Sequence, residues 1–271
     1  MLAEYYVAIA DWILPHLVDR PLSMLRCPDG QQSKCFFQKH AAAGTPEALR
    51  RIEIQEKDEV ETYLIAGDLP GLLSLAQMSI LEIHPWGSRG DRLEQPDRLI
   101  FDLDPGEGVA WSDVVKAAFE LREALQTLKL KSFVKTTGGK GLHLVVPLAP
   151  RRIEWEAAKS FTRSVAEQFA SVQPERFIAT MSKARRRSKI FIDYLRNDRG
   201  ATAVAPYSTR AKPGAPVSCP LAWDELSAKV HSDAFTVANV PARLQSLKTD
   251  PWEGFFKVKQ QIPIALARGK R

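Results

Sequence analysis

Leu99-Ile100-Phe101-Asp102-Leu103-Asp104-Pro105 is an apolar run that carries two carboxylates at alternate positions. Residues two apart on a strand project from the same face, so Asp102 and Asp104 point one way from a buried strand that Pro105-Gly106 ends. Neighbouring carboxylates repel and raise each other's pKa, so the pair calls for a cation. A divalent ion is the simplest remedy, and oxygen-only ligation favours Mg2+ or Mn2+ over zinc. A solvated pair at a strand end is the alternative, and Asp-x-Asp alone leaves both readings open.

Two later segments favour the metal. Lys135-Thr136-Thr137-Gly138-Gly139-Lys140-Gly141 is a glycine-rich turn that feeds the strand Leu142-His143-Leu144-Val145-Val146-Pro147. Glycines let backbone amides approach phosphate oxygens, and Lys140 can neutralise them as a point charge. No Walker A pattern is present, and a strand rather than a helix follows. An ordinary hairpin turn is the competing reading for Gly138 and Gly139. The run Lys189-Ile190-Phe191-Ile192-Asp193-Tyr194-Leu195-Arg196 then buries a third carboxylate. Arg196 would be its natural partner in isolation; beside Asp102 and Asp104, Asp193 reads as a third metal ligand.

The chain has 271 residues, enough for one large domain or two small ones sharing a core. A net charge of +6 suits a polyanionic partner. Cys27, Cys35 and Cys219 are odd in number and show no Cys-x-x-Cys spacing, so the expectation is reduced thiols with neither a disulfide framework nor a zinc site. No apolar stretch reaches membrane-spanning length and the N-terminus lacks a basic signal head, which argues against a membrane partner and for a cytoplasmic protein.

Along the chain, Leu2, Tyr5, Tyr6, Ile9, Ile13 and Leu17 recur at helical spacing, with Pro15 expected to kink or shorten the helix. Phe36 to His40, Tyr63 to Ile65 and Ile80 to His84 read as strands. Thr45-Pro46-Glu47 reads as a helix start, and Asp68 as the cap of a helix bearing Leu69, Leu72 and Leu73. Ser112 caps a helix that follows the Asp-Leu-Asp strand. Lys131 to Thr136 and Leu142 to Pro147 are strands joined by the glycine turn, and Glu154 to Ala170 is helical. Ile190 to Leu195 and Ala201 to Pro206 read as paired strands. A final helix over roughly 251–266 leads into a basic tail.

With these residues assembled, the chain resembles the polymerase domain of bacterial DNA ligase D, within the archaeo-eukaryotic primase superfamily. The matching segments are Phe36-Phe37-Gln38-Lys39-His40, Leu81-Glu82-Ile83-His84-Pro85-Trp86-Gly87, Phe101-Asp102-Leu103-Asp104-Pro105, Gly138-Gly139-Lys140-Gly141-Leu142-His143, Asp193-Tyr194-Leu195-Arg196-Asn197 and Ala205-Pro206-Tyr207-Ser208-Thr209-Arg210. The resemblance implies an α/β fold, a primase-type core with an RRM-like antiparallel sheet flanked by helices. It implies one primase-polymerase domain over 1–271, with an N-terminal α/β part to about residue 90, a catalytic core over 91–250 and a C-terminal helix and basic tail over 251–271. The activity implied is template-directed nucleotidyl transfer at DNA ends in non-homologous end joining, with ribonucleotides favoured and two Mn2+ (or Mg2+) ions as cofactors. The implied partners are primer-template or broken-end DNA, nucleoside triphosphates, Ku and a DNA ligase, and the implied setting is the nucleoid. The basic lead-in segment with which the family usually begins does not precede Met1-Leu2-Ala3-Glu4, so a weaker preference for downstream 5′-phosphates is expected, with Arg26 a candidate substitute anchor.

Roles follow on that basis. Asp102 and Asp104 would ligate both ions, with Asp193 nearer the primer hydroxyl. Thr137, Gly138, Gly139, Lys140 and His143 would hold the incoming triphosphate, Arg196 and Arg210 would contact it, and His84 would lie near its sugar or base. Adjacent Phe36 and Phe37 alternate faces, so at most one is expected in the core and the other is free to stack on a base. Lys183, Arg185, Arg186, Arg187 and Lys189 form the densest basic run, either a solvated surface or a DNA-backbone contact. Two other classes compete: a haloacid-dehalogenase-like phosphatase, which shares Phe-Asp-x-Asp but continues Gly-Thr where Pro105-Gly106 stands, and a non-catalytic DNA-binding module.

Overall fold

The computed structural model describes residues 2–263. Contacts divide the chain into two compact units with interleaved segments. The first takes the chain through Leu93 and takes back Thr202–Cys219 and Phe235–Lys248. The second comprises Glu94–Ala201, Pro220–Ala234 and the chain from Thr249 onward.

In the first unit, α1 (Leu2–Leu17), β1 (Leu22–Arg26), β2 (Phe36–Gln38), β3 (Arg50–Gln55), β4 (Val60–Ile65), α2 (Leu69–Gln77) and β5 (Ile80–Pro85) follow in order. The strands pair antiparallel in the order β2-β1-β4-β3, and β5 lies on β1 as well. The helical spacing of α1 buries Tyr5, Tyr6, Ile9, Ile13 and Leu17 against Leu72 and Leu75 of α2. Tyr207 and Val217, from a segment that returns late in the chain, complete this core, and the Tyr5 hydroxyl donates to the Tyr207 carbonyl at 2.8 Å. Pro15 does not stop α1, which ends at Leu17. Asp68 caps α2 as expected, its Oδ1 accepting from the Gly71 amide at 2.8 Å.

The second unit contains β6 (Arg98–Pro105), α3 (Trp111–Thr127), β7 (Phe133–Thr136), β8 (Leu142–Pro147), α4 (Trp155–Val172), β9 (Phe177–Ile178), β10 (Ile190–Asp193) and β11 (Pro220–Leu221). Its sheet runs β11-β7-β8-β6-β10-β9, antiparallel except for the β9–β10 pair. Alternation along β6 buries Leu99, Phe101 and Leu103 completely, whereas Ile100, Asp102 and Asp104 on the other face keep partial exposure. Both sheets and their helices agree with the α/β, antiparallel-sheet expectation.

Several local expectations fail for identifiable reasons. Cys27 and Cys35 form a disulfide: the β1–β2 register pairs Arg26 with Phe36, which brings the next two residues together across the hairpin. Cys219 is a buried free thiol. Thr45-Pro46-Glu47 starts no helix, because the Thr45 hydroxyl closes a local turn, donating to the Ala42 carbonyl at 2.7 Å. Ala201 to Pro206 is not a strand paired with 190–195; β10 is taken by β6 and β9, and Thr202 makes only an isolated bridge to Trp86. Ala110, not Ser112, stands at the start of α3. The final helix over 251–266 is absent among the described residues, where only a 3-10 turn at Phe255–Lys257 occurs; residues 264–266 and the basic tail lie outside them. Gly254, at φ 81°, turns the backbone just before that 3-10 turn, and Trp252 and Phe255 are drawn into a cluster with Phe133 and Val145. No helix among the described residues is long and apolar enough to cross a membrane.

Candidate active site

The antiparallel registers of the second unit align four polar residues across four strands. Lys135 lies opposite His143, His143 opposite Asp102, and Asp102 opposite Asp193. Directly opposed residues share a face, so Lys135, His143, Asp102 and Asp193 form one continuous row, with Asp104 two residues along β6 on the same side. Buried polar groups in such a row must satisfy one another.

They do so largely by charge. His143 Nε2 lies 3.4 Å from Asp102 Oδ1, and Arg196 Nε lies 3.6 Å from Asp102 Oδ2 and 3.4 Å from Asp193 Oδ2. Arg186 Nη1 donates to Asp104 Oδ2 at 3.0 Å while its guanidinium stacks on Phe191, 3.9 Å from the ring centroid. Burial pushes the Asp102 carboxyl up, but His143, Arg196 and Lys135 outweigh it and hold the group at about 2. Burial raises Asp104 and the Asp102 charge raises it further, against Arg186 and Lys140. Asp193 is raised as well, by burial above all. Burial and the Lys135 ammonium depress His143 to about 4 against the pull of Asp102, so its imidazole is neutral near pH 7.

Asn197 fixes the turn that follows Asp193. Its Oδ1 accepts from the Ile100 amide and its Nδ2 donates to the Ile100 carbonyl, both at 2.7 Å, which continues the β6 ladder with a side chain. The Leu195 amide donates to Asp193 Oδ1 at 2.8 Å. The next residue back, Arg196, is thereby held over the carboxylates.

The glycine turn is shaped by its own contacts and corrects the expectation for its amides. The Gly138 amide donates to the Ser232 carbonyl at 3.0 Å and the Gly139 amide to the Thr137 hydroxyl at 3.2 Å, so both are already used within the unit. Thr137 is buried, takes the Gly141 amide as well, and serves the turn. Gly141 is required: a Cβ there would stand 2.0 Å from the Leu103 carbonyl oxygen. The turn therefore rests against β6 between the two aspartates and carries the exposed Lys140. His143, expected on phosphate, is instead buried against Asp102, and its Nδ1 is enclosed without a hydrogen-bond partner.

The basic run divides. Arg185 and Arg187 are exposed, Lys189 is half-buried, and Arg186 turns inward to Asp104. Lys183 lies in the 3-10 turn Lys183–Arg185. The inward path is set by a close backbone approach, since a Cβ on Gly106 would stand 1.8 Å from the Arg186 carbonyl oxygen.

The remaining candidates belong to the first unit. Phe36 and Phe37 are both exposed, at 45% and 58%, so neither enters the core; β2 is a short strand at the edge of the sheet. The Phe37 ring meets the His84 ring edge-on at 5.5 Å. His84 Nε2 lies 2.8 Å from Glu82 Oε2, and Arg210 Nε lies 3.0 Å from the same oxygen. Arg26 Nη1 donates to Gln38 Oε1 at 3.4 Å. Sequence reasoning gave no role to Lys135, Asn197 or Glu82; a lysine and a glutamate inside otherwise apolar strands were the signals available.

The donor chemistry of the aspartate face suits hard divalent ions: carboxylate oxygens from two paired strands, with no sulfur. Among the described residues no three His, Cys, Asp or Glu side chains are grouped as the ligands of a single ion. Guanidinium groups occupy the carboxylates instead, which is the same demand for positive charge met from within.

A family model described as the LigD primase-polymerase domain matches residues 1–252. The multifunctional non-homologous end joining protein LigD of Pseudomonas aeruginosa is 38% identical over 276 residues, covering 98% of this chain and 32% of the relative. The bifunctional non-homologous end joining protein LigD of Bacillus subtilis is 30% identical over 263 residues, covering 97% of this chain and 42% of the relative. The chain thus spans well under half the length of these relatives. Among solved structures, the polymerase domain from Mycobacterium tuberculosis ligase D in complex with DNA superposes with a TM-score of 0.87 at 29% identity, covering 97% of this chain and 92% of that one. These matches leave the phosphatase reading without support.

Proposed function

Because the chain belongs to the LigD primase-polymerase domain family, a nucleotidyltransferase class, we propose that it extends primers on a DNA template at broken ends during non-homologous end joining. The observation that carries this reading is the row Lys135–His143–Asp102–Asp193 with Asp104 beside it, three carboxylates gathered on one face with cations against them. DNA in the solved relative supports DNA as the partner here. Ribonucleotides are the favoured substrates, and Ku and a DNA ligase the protein partners, of this reading.

Asp102, Asp104 and Asp193 would hold Mn2+ or Mg2+, which when bound neutralises the triphosphate and activates the primer 3′-hydroxyl. Arg196 and Arg186, which pair with these carboxylates, would yield them to the ions, and Arg196 would lie close enough to contact phosphate. Lys140, exposed at the tip of the rigid turn, draws the triphosphate by charge. His143 stays neutral and keeps Asp102 oriented. In the first unit, Phe36 and Phe37 offer bare aromatic faces on which any base can stack, and His84 and Arg210 engage the nucleotide. Incorporation of each ribonucleotide and deoxynucleotide opposite each template base, in Mn2+ and in Mg2+, tests the reading. Complementary addition with ribonucleotides ahead supports it; addition that ignores the template overturns it.

A further inference from the structure

One buried carboxylate in the first unit has no part in the chemistry above. Glu82 lies in β5 with its side chain 6% exposed, two residues before His84 and therefore on the same face of the strand. Its Oε2 is 2.8 Å from His84 Nε2 and 3.0 Å from Arg210 Nε, and its Oε1 accepts from the Ala211 amide at 3.0 Å. A buried charge is tolerated only when its partners are fixed around it, so the carboxylate in turn fixes them. A carboxylate only accepts, so the His84 Nε2 that faces it carries a proton, and this contact fixes the orientation of the ring. The same oxygen lies 3.0 Å from Arg210 Nε, an ion pair that anchors the guanidinium beside His84 by charge.

We propose that Glu82 is a positioning residue for nucleotide binding: it selects the His84 tautomer and aims Arg210, so that one carboxylate organises both contacts. The proposal rests on the reading that His84 and Arg210 engage the nucleotide. A residue that merely supported the fold would lower stability without changing the nucleotide KM relative to kcat.

The test uses the full chain, a primer-template and a complementary nucleoside triphosphate titrated to saturation, with melting followed by circular dichroism. Glu82→Gln is expected to raise the triphosphate KM by about 10-fold with kcat changed by less than about 3-fold, the split expected for lost ground-state binding. Two-bond 1H–15N spectra of the imidazoles, with the His84 signal assigned by His84→Gln, should show Nε2–H alone in the parent protein and mixed tautomers in Glu82→Gln. The double variant Glu82→Gln/His84→Gln should raise the triphosphate KM by less than the product of the two single fold-changes, that is, sub-additively. An unchanged KM and tautomer in a folded Glu82→Gln overturns the proposal. If Glu82→Gln does not fold, the parent spectrum decides: Nδ1–H or mixed tautomers there also overturns it. His84→Gln and Arg210→Lys measured alone separate the two layers, since an unchanged KM in both defeats the nucleotide reading itself.

Discussion

Asp193 of β10 stands directly opposite Asp102 of β6, and the Arg196 guanidinium lies 3.4 Å from the first and 3.6 Å from the second. Two carboxylates brought face to face across paired strands are a destabilising arrangement unless a cation joins them. The cation present is three residues along the chain, held there by Asn197.

Asp102→Asn, Asp104→Asn and Asp193→Asn should each lower primer extension by at least about 1,000-fold, near 4 kcal/mol of barrier. The isosteric amides keep the packing, so melting temperatures should stay within several degrees of the parent. DNA affinity, which rests on phosphate contacts elsewhere, should hardly move. Extension and melting measured on the same preparations check this, and normal extension by one variant removes that residue from the site.

Phe36→Ala with Phe37→Ala should cost less than about 0.5 kcal/mol of stability, because both rings are exposed. Template affinity should fall by about 1–3 kcal/mol, the value of lost base stacking. Anisotropy on labelled primer-template and a denaturant melt give both numbers. Unfolding of the double variant would place the rings in the core.

The aspartate strand was legible because its signal is local: alternation over seven residues separates Asp102 and Asp104 from Phe101 and Leu103 without reference to anything distant. The fold class was legible for the same reason, through the motifs that carry the resemblance. The polar row was not, since it depends on the registers of β7, β8, β6 and β10, and register is set by pairing between remote segments. Lys135 therefore passed as one more residue before the glycine turn. The loop amides were misjudged because the Gly138 acceptor, Ser232, joins the turn from a later segment of the chain, and the Gly139 acceptor is the hydroxyl of Thr137, which reads as one more loop residue. Cys27 and Cys35 were read by count and spacing, whereas a hairpin pairs residues by register.

Within the basic run, Arg186 should behave unlike its neighbours. Arg185→Ala with Arg187→Ala should reduce the slope of log affinity against log salt by about 1–2, one phosphate contact each, with little loss of extension at low salt. Arg186→Ala should leave that slope alone and depress extension, because its guanidinium faces Asp104. Affinity measured over a salt series with all three variants checks the division. A slope unchanged in the Arg185 and Arg187 variant returns those residues to solvated surface.

The Glu82 hub predicts a pH dependence of folding. Burial raises this carboxyl, but the His84 hydrogen bond, the Arg210 charge and the Ala211 amide prevail and hold it at about 2, below its ordinary 4.5. A depressed acid contributes stability that is fully present above its unfolded pKa and is lost as pH falls through its folded pKa. The loss should therefore run from about pH 4.5 down to about 2 and amount to about 3 kcal/mol at most. Urea unfolding of the parent and of Glu82→Gln across that window isolates it: the difference between them should shrink as pH falls. A difference that is flat with pH would mean that Glu82 titrates alike in the folded and unfolded chain.

If the aspartate face performs templated nucleotidyl transfer, extension must follow the template and require Asp102. Extension of a labelled primer on four templates that differ only in the first unpaired base, with Mn2+ and all triphosphates, compares the parent protein with Asp102→Asn most directly. The expected result is that the parent adds the complementary nucleotide on each template and that Asp102→Asn adds none while binding the same DNA with the same affinity. Equal extension by the two proteins would contradict it.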